Sequence, residues 1–456
     1  MHKRRPTHPR DLRAVDLIAK KRDGLRLSAE EVDWLIASYV AGAVAEEMMA
    51  AFLMAAYIRG MDFEETAALT MAMAATGKAI NLRSVPGIKV DKHSTGGVGD
   101  KTTLVVAPLV AAVGAPVAKM SGRSLGHTGG TIDKLESIPG LSCEMTTQQL
   151  VRQVRRIGVA IAAQSADLCP ADKRMYALRD RIGAVASIPL IASSVMAKKL
   201  VMGGDAIVLD VKCGSGAFMK DLPSARRLAT TMVEIGARAA RPTAALITDM
   251  SQPLGRAVGE ALEVGEAIEV LRGPSTSSGS PRAAWSGGPA DVRELSLALG
   301  AQMLVLGRAA RNAADARSRL EGTLSSGKAL AKLRQMIEAQ GGDPAVVERP
   351  ELLPRAARRL PVRSPQPGYV RAIDAQAVGE IARQLVLDGG PGAGIIVLKK
   401  RGDRAAAGEP LAVIHGAANL QASADALAAA YTIGARAPSR RPLILENLPP
   451  GFKHIE

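Results

Sequence analysis

The sequence predicts an α/β fold, with a small all-helical domain at the start and a large α/β domain with a mainly parallel sheet. Three observations predict it. Apolar residues recur at helical spacing through residues 29–75. Residues 206–211, AIVLDV, are apolar and β-branched, which is typical of a central parallel strand. Residues 92–136 alternate loop, helix, strand and loop, the order of a domain whose site lies at the strand C-termini.

The N-terminal region predicts helices from its caps and its apolar spacing. A capping box at residues 28–31, Ser-Ala-Glu-Glu, opens a helix over residues 29–41. Residues 48–60 are apolar around most of the helix circumference, which predicts burial in a helical core or against a second subunit. A further helix spans residues 63–75, with Asp62 as its cap.

Two loops rich in glycine and hydroxyl side chains follow. The first covers residues 92–101, KHSTGGVGDK, and the second covers residues 121–131, SGRSLGHTGGT. A helix at 104–113 and a strand at 116–120 are predicted between them. Glycines let backbone N–H groups approach an anion, while basic and hydroxyl side chains add charge and directed donors. Two such loops, brought together by the fold, predict a phosphate site.

Standard motifs of other enzyme classes match these loops poorly. The P-loop requires glycine directly before Lys-Ser/Thr, where this chain has Asp100, and the first loop breaks the dinucleotide GxGxxG pattern at Thr102. Residues 122–126, GRSLG, fit the GxSxG nucleophile elbow of esterases, with Ser124 as nucleophile. Because the residues after it are a poor helix start, a serine esterase is kept only as a weak alternative.

The later elements continue the alternation of helix and strand. Helices are predicted at residues 146–158, 171–182, 194–201 and 222–240 and within 292–339, and strands at 160–163, 206–211, 244–248, 368–373 and 395–399. Residues 273–289 are rich in proline, glycine and serine and predict a surface insertion without assigned chemistry.

Length and charge limit the class of protein. The 456 residues exceed what one compact core holds, so we expect two or three domains. The formal net charge of +15 allows nucleic-acid binding, which remains a weak alternative. However, the basic residues are scattered, and the 2% aromatic content leaves almost no platforms for base stacking. We therefore interpret the charge as attraction for small anionic substrates and expect no nucleic-acid partner.

Cysteines and apolar runs indicate the compartment. Cys143, Cys169 and Cys213 have no metal-binding spacing, and an odd number of scattered cysteines favours a reducing cytoplasm. The start, MHKRRPTHPR, lacks the apolar stretch of a signal peptide. The longest uncharged run, residues 102–118, is broken by proline and glycine and is shorter than the ~20 residues of a membrane span. We expect a cytoplasmic protein without a membrane partner.

The loops and several later segments resemble a known family. KHSTGGVGD and KMSGRSLGHTGGTIDKLES, with PADKRMYALRD at residues 170–180, SIPLIASSVMAKK at 187–199 and DAIVLDVKCGSGAFMK at 205–220, are similar to signatures of the pyrimidine nucleoside and thymidine phosphorylases. The resemblance implies phosphorolysis of uridine, thymidine or deoxyuridine to the free base and a pentose 1-phosphate. A thymidine phosphorylase restricted to 2′-deoxynucleosides is the alternative, and the sequence does not rank uridine against thymidine.

The resemblance also implies a domain order and a partner. It assigns residues 1–76 and 171–204 to the helical domain, whose second part binds the base. Residues 77–170 and 205–345 form the phosphate-binding α/β domain, and residues 346–456 form a C-terminal α/β subdomain. Family members dimerise through the helical domain, so we expect a homodimer formed by the N-terminal helices.

Site residues follow from the same resemblance. The expected phosphate-binding residues are Lys92, Ser94, Thr103, Lys119, Ser121 and Thr131. The expected base-binding residues are Arg179, Ser194 and Lys198, of which Arg179 and Lys198 are also catalytic because they donate to the pyrimidine carbonyl oxygens as negative charge builds there. His93 is the third expected catalytic residue, as a proton donor or a hydrogen-bond partner of the leaving base.

The resemblance raises the question of a potassium site. Some family members hold a potassium ion near the positions that are Gly99, Leu254, Ala257 and Glu266 here. Those members carry threonine where this chain has Lys101. The Lys101 ammonium could occupy the site itself or repel a cation from it. We expect no organic cofactor, and the resemblance does not decide whether potassium binds.

Overall fold

The structure is a computed structural model that describes residues 12–124, 126, 129–164, 168–273, 287–417 and 419–451. Residues 274–286, most of the predicted insertion at 273–289, lie outside the described residues.

Four helices open the chain: α1 (Ala14–Arg22), α2 (Ala29–Val40), α3 (Glu46–Arg59) and α4 (Phe63–Ala75). The α/β region follows with β1 (Val90–Ser94), α5 (Thr102–Val113), β2 (Val117–Ser121), α6 (Thr131–Glu136), α7 (Thr147–Ile157), β3 (Val159–Ala163), α8 (Pro170–Arg181), α9 (Ile188–Val201), β4 (Ala206–Cys213), α10 (Leu222–Arg238), β5 (Thr243–Asp249), β6 (Ala257–Val258), α11 (Glu260–Arg272), α12 (Ala290–Leu306), α13 (Ala313–Ser325) and α14 (Lys328–Ala339). After two short 3₁₀ helices come β7 (Arg358–Arg363), β8 (Gly368–Ile373), α15 (Ala375–Gly389), β9 (Gly394–Val397), β10 (Arg404–Ala405), β11 (Pro410–Gly416), α16 (Gln421–Ala429), β12 (Tyr431–Gly434) and β13 (Ile444–Leu448).

Side-chain caps satisfy first-turn N–H groups at two of the four N-terminal helices, α2 and α4. Ser28 and Glu31 make the predicted capping box of α2, and Asp62 makes a second one with Glu65 at α4. Their apolar faces pack into one core, to which α8 and the first part of α9 also contribute. The chain therefore leaves the helical bundle after α4 and returns to it at α8.

Parallel strands form the centre of the large domain. The main sheet has the order β1-β4-β5-β13, in which β1, β4 and β5 are parallel and β13 is antiparallel. A separate parallel pair joins β2 and β3. Every residue of β4 is buried, as its continuous apolar run predicts for a strand covered on both faces. The predicted mainly parallel sheet is confirmed.

Two antiparallel sheets lie in the C-terminal region, with the orders β10-β8-β12 and β6-β9-β11-β7. Within residues 346–456, β13 does not join these two sheets and pairs with β5 in the main sheet. The short strand β6 of the large domain pairs with β9 in turn. Because these pairings join residues far apart in sequence, local patterns did not indicate them.

One helix prediction needs correction. Helix α9 begins at Ile188 rather than at residue 194, because Pro189 occupies its first turn, where its missing N–H is tolerated. The helices predicted within 292–339 are α12, α13 and α14. Among the described residues, no helix is both long enough and apolar enough to cross a bilayer.

A buried ion pair joins the first and fourth helices and gives a stability prediction. Both carboxylate oxygens of Glu65 accept from Lys21 Nζ at 2.8 Å, and the same carboxylate accepts from Leu27 N. Glu65→Ala would leave the Lys21 ammonium unpaired in the core, so we expect it to cost about 3–5 kcal/mol of unfolding free energy, measured by urea titration.

The adjacent residue provides the control for this change. Glu64 makes an exposed ion pair with Arg238, so Glu64→Ala is expected to leave the urea midpoint nearly unchanged. Equal midpoints for the two variants would contradict the stated role of the Glu65 carboxylate.

Candidate active site

A cavity of about 500 Å³ lies between the two glycine-rich loops and the helices α8 and α9. The loops follow β1 and β2, so the cavity lies at the carboxyl ends of parallel strands, where open α/β sheets bind ligands. All predicted phosphate-side and base-side residues except Lys92 line it: His93, Ser94, Thr103, Lys119, Ser121, Thr131, Arg179, Ser194 and Lys198.

Close backbone approach explains the glycines of the first loop. Gly99 has a φ of 71°, and a Cβ on it would lie 2.5 Å from the carbonyl oxygen of Leu254. Leu254 N donates to Val98 O at 3.0 Å, so the loop and the segment after β5 are joined directly. Beyond the loop, Thr103 lies in the first turn of α5, where unpaired backbone N–H groups favour an anion.

The second loop folds back on the start of α6. Ser124 N donates to Asp133 Oδ2 at 2.6 Å, and a Cβ on Gly130 would collide with the backbone of Ser124. Helix α6 begins at Thr131 rather than directly after Ser124. The nucleophile elbow needs a helix immediately after its serine, so this geometry does not support the serine-esterase interpretation.

Lys92 is the predicted phosphate ligand that does not line the cavity. Its side chain is 2% exposed, its Nζ donates to Thr102 Oγ1 at 2.6 Å, and it lies 3.3 Å from Asp210 Oδ2. Asp210 also pairs with Lys212 at 2.8 Å. Lys92 therefore supports the loop through Thr102 and contributes its charge from behind the cavity wall.

Asp100 accepts hydrogen bonds within the first loop. Its Oδ1 accepts from Thr102 N at 3.1 Å and from Thr102 Oγ1 at 2.5 Å. Burial raises the pKa of Asp100, but Lys212, Lys92 and hydrogen bonds from Ser94 and Thr102 outweigh it and hold the pKa well below its usual range. Asp100 is therefore ionised at neutral pH and fixes the loop without accepting a proton.

A group of buried lysines lies at the phosphate end. Lys199 Nζ donates to Asp91 Oδ2 at 2.7 Å and to Met120 O at 3.2 Å. Lys119 Nζ donates to Lys92 O and lies 3.8 Å from Asp91 Oδ1. Burial and the nearby charge of Lys199 lower the pKa of Lys119 well below its usual value. A bound phosphate dianion would favour the ammonium form of Lys119.

The same charges decide between the two roles left open for His93. Burial lowers the pKa of His93 well below 6.5, and the charges of Lys199, Lys119 and Lys198 lower it further. At neutral pH the side chain is a neutral imidazole, which can donate one hydrogen bond. This favours the hydrogen-bond partner over the imidazolium proton donor.

Helix α9 places two base-side residues one turn apart. Lys198 Nζ donates to Ser194 Oγ at 2.7 Å and to Asp172 Oδ2 at 2.6 Å. An ammonium has three N–H groups, so one of them remains for a ligand in the cavity. The carboxylate of Asp172 fixes the position of the Lys198 ammonium.

Arg179 is held by the loop between α8 and α9. Its guanidinium donates to Ala184 O, Leu190 O and Val185 O at 3.1, 3.0 and 2.6 Å. These bonds use three of its five N–H groups and leave two for a ligand. The ring of Tyr176 lies 5.7 Å from this guanidinium and 5.5 Å from Lys198 Nζ.

Asp172 and Tyr176 are cavity residues that sequence reasoning missed. Both lie on α8, where Asp172, Tyr176 and Arg179 have the spacing i, i+4 and i+7. Residues with this spacing share one helix face. Once Arg179 had been chosen, this periodicity was a signal that could have identified the other two.

The oxygens of the expected potassium site hold a lysine. Lys101 Nζ donates to Leu254 O at 2.9 Å, to Ala257 O at 2.8 Å and to Glu266 Oε2 at 2.5 Å, and the side chain is 0% exposed. Burial lowers the pKa of Lys101, but Glu266 and neighbouring carboxylates outweigh it and raise the pKa above its usual value. Gly99 packs against the same Leu254 carbonyl. The ammonium is therefore charged and lies among the oxygens where the resemblance left potassium binding open.

Family models and curated relatives match most of the chain. "Glycosyl transferase family, helical bundle domain" matches residues 15–77, and "Glycosyl transferase family, a/b domain" matches residues 87–330. The pyrimidine-nucleoside phosphorylase of Geobacillus stearothermophilus is 50% identical over 415 residues, 89% of this chain and 92% of the relative. The pyrimidine-nucleoside phosphorylase of Bacillus subtilis strain 168 is 46% identical over 447 residues, 96% of this chain and 99% of the relative.

A solved structure supports the architecture. Anthranilate phosphoribosyltransferase from Thermus thermophilus matches with a TM-score of 0.56 at 19% identity, covering 71% of this chain and 99% of that chain. At this identity the likeness shows the fold alone. Together with the two family models, it confirms the predicted combination of a helical domain and an α/β domain.

Proposed function

The chain belongs to the pyrimidine-nucleoside phosphorylase family, as its two loops predicted, and we propose that it cleaves uridine, thymidine and deoxyuridine with inorganic phosphate. The products are the free base and ribose or deoxyribose 1-phosphate. The protein is thus an enzyme, a pentosyltransferase, that takes a pyrimidine nucleoside and phosphate as substrates.

One observation carries the proposal. A single cavity joins hydroxyl-rich loops on the sheet side to two cationic side chains on the helical side. Phosphorolysis needs this arrangement, because an anionic nucleophile must be held on one side of the sugar while negative charge develops on the base at the other.

The phosphate end combines hydroxyl donors with a buried lysine. Ser94, Thr103, Ser121 and Thr131 supply hydroxyl groups that orient the phosphate oxygens toward C1′ of the sugar. Burial and the charge of Lys199 lower the pKa of Lys119, and a bound phosphate dianion would favour its ammonium form and pair with it.

The base end stabilises the leaving group. The remaining N–H groups of Lys198 and Arg179 donate to the pyrimidine carbonyl oxygens. The Ser194 hydroxyl forms a hydrogen bond with the ring N3. These bonds strengthen as negative charge builds on the base, so they act on the transition state more than on the bound substrate. His93 contributes a neutral hydrogen bond, and Asp172 acts as a positioning residue through Lys198.

The helical domain supports the proposal of a homodimer. The exposed large apolar side chains of the described residues concentrate in the helical bundle: Val15, Leu25, Tyr57, Ile58 and Met71. Exposed apolar side chains concentrated in one domain are consistent with an interface there. A cytoplasmic location is proposed as well, and the three buried free cysteines are consistent with a reducing compartment.

We also propose that the Lys101 ammonium takes the place of a potassium ion, so that the enzyme needs no added monovalent cation. Two carbonyls and a carboxylate surround it, a set of oxygens that suits an ammonium or a potassium ion. The ammonium is covalently attached to the first loop, so the loop is tied to the Leu254 segment without an entropic cost for capturing an ion.

The reaction itself is tested by base release from uridine and thymidine with and without phosphate. Release is expected only with phosphate. Lys198→Ala removes a donor to the developing charge and is expected to lower kcat about 10²–10³-fold, while Ser121→Ala raises the KM for phosphate about 10-fold. Ser325→Ala, at an exposed helix end, is the control. Base release without phosphate, or full turnover by Lys198→Ala, would contradict the proposal.

The cation proposal predicts a switch in salt dependence. Wild-type kcat is expected to be the same in potassium chloride and choline chloride. Lys101→Thr removes the ammonium and leaves the Leu254, Ala257 and Glu266 oxygens, so its activity is expected to fall at least 10-fold in choline and to recover in potassium. Lys328→Thr, on the surface at α14, is the control. Potassium dependence of the wild type would exclude the internal-cation role.

The dimer proposal is tested by two matched aspartates. Ile58 on α3 and Leu387 on α15 are 70% and 69% exposed, so neither substitution creates a buried charge within one chain. Ile58→Asp is expected to convert a dimer to the 47.5 kDa monomer in sedimentation velocity, because a charge at an apolar interface loses its hydration. Leu387→Asp should remain dimeric. A monomeric wild type would refute the proposal.

A further inference from the structure

A second cavity, of about 470 Å³, lies at the carboxyl end of β5. Asp249, Gln252, Asp291, Arg401, Arg440 and Arg441 are among its lining residues. Its volume is in the range of small-molecule sites, which run from about 300 to 1,000 Å³. None of the residues assigned to the reaction lines it.

Its charges do not balance within the chain. Arg441 neutralises Asp249 at 2.9 Å, and Lys400 neutralises Asp291 at 3.2 Å. Within the described ranges, Arg401 and Arg440 have no carboxylate partner. The Arg401 guanidinium donates only to backbone carbonyls, those of Arg371 at 3.2 Å and Ser439 at 2.7 Å. Two guanidinium charges therefore remain for a ligand.

We infer that this cavity binds a small phosphorylated molecule carrying two or more negative charges. Guanidinium groups bind phosphate oxygens with paired, charge-assisted hydrogen bonds. Two of them in one concave site match a molecule with two linked phosphate groups. The concave shape fits a compact ligand better than a nucleic-acid backbone, which needs an extended basic surface.

The cavity is connected to the phosphate loop by one chain segment. Residues 252–254 line the cavity, and Gln252 Oε1 accepts from Arg401 N at 3.0 Å. In the same segment, Leu254 N donates to Val98 O at 3.0 Å and Leu254 O accepts from Lys101 at 2.9 Å. A ligand that fixes Arg401 thus restrains the segment that holds the first loop.

Through this connection, a ligand in the second cavity would regulate phosphate binding in the active site. Ordering the segment in the conformation that holds the Lys101 ammonium preorganises the first loop, so the occupied cavity lowers the KM for phosphate. The expected change is about fivefold, at the low end of typical coupling between sites. The regulatory part rests on the proposed phosphorolysis, whereas ligand binding does not.

Calorimetric titration of the full chain tests the binding. Adenosine diphosphate and inorganic pyrophosphate are titrated separately, with saturating inorganic phosphate and uracil present to fill the active site. At least one probe is expected to bind one site per chain. Binding of adenosine diphosphate alone shows that the ligand needs an organic body, and binding of both shows that the linked phosphates suffice.

Variants decide where the probe binds. Arg440→Ala and Arg401→Ala are each expected to weaken binding about 10-fold or more. The Arg440 side chain is exposed and has no ion pair in the described part of the chain, so its variant tests the site without a folding defect. Arg83→Ala and Arg155→Ala, on other surfaces, are controls. No binding of either probe, or equal affinity in Arg440→Ala, would overturn the inference.

Kinetics then separate this inference from the proposed function. The probe that binds should lower the KM for phosphate in the wild type and leave it unchanged in Arg440→Ala. A wild type that binds the probe but lacks phosphorolysis would refute the proposed function alone. A wild type that is active but whose KM does not respond to the bound probe would refute the regulation.

Discussion

The site depends on one desolvated charge, the Lys101 ammonium held by two carbonyls and the Glu266 carboxylate. A fully buried ammonium is unstable unless its partners surround it. The partners come from the segment between β5 and α11 and from α11 itself, whereas the lysine comes from the loop after β1. A shift of either part exposes or unpairs a charge, so the ion pair couples the position of the first loop to that of the Leu254 segment.

The same constraint explains why the active-site wall contains so many buried charges. Lys92, Lys212 and Asp210 form one group behind the first loop, and Lys199 with Asp91 forms another beside it. Each carboxylate offsets part of the lysine charge, but burial and the remaining positive charge together lower the pKa values of His93 and Lys119. The wall therefore has a positive electrostatic potential, which a bound phosphate dianion would offset.

Sequence reasoning succeeded where the determinants are local. Caps and apolar spacing predicted α2 and α4, and a continuous apolar run predicted β4. The loop motifs predicted which residues share the cavity. The resemblance named Lys92 but did not show its contacts, because the reach of a long side chain depends on its surroundings, and here Nζ ends on Thr102 and Asp210. Sequence reasoning gave no signal for the pairing of β13 with β5, because the two strands lie far apart in the sequence.

The two ends of the cavity differ in what surrounds their cationic side chains, and the difference follows from their proposed roles in the reaction. At the base end, Asp172 and the backbone carbonyls of residues 184–190 hold Lys198 and Arg179 in fixed positions. The donors there must be in place before the reaction, since in the proposed mechanism they stabilise a group that is neutral in the substrate. At the phosphate end the proposed ligand brings its own negative charge. Burial and the charge of Lys199 lower the pKa of Lys119 while the site holds no anion, and a bound dianion would offset both effects.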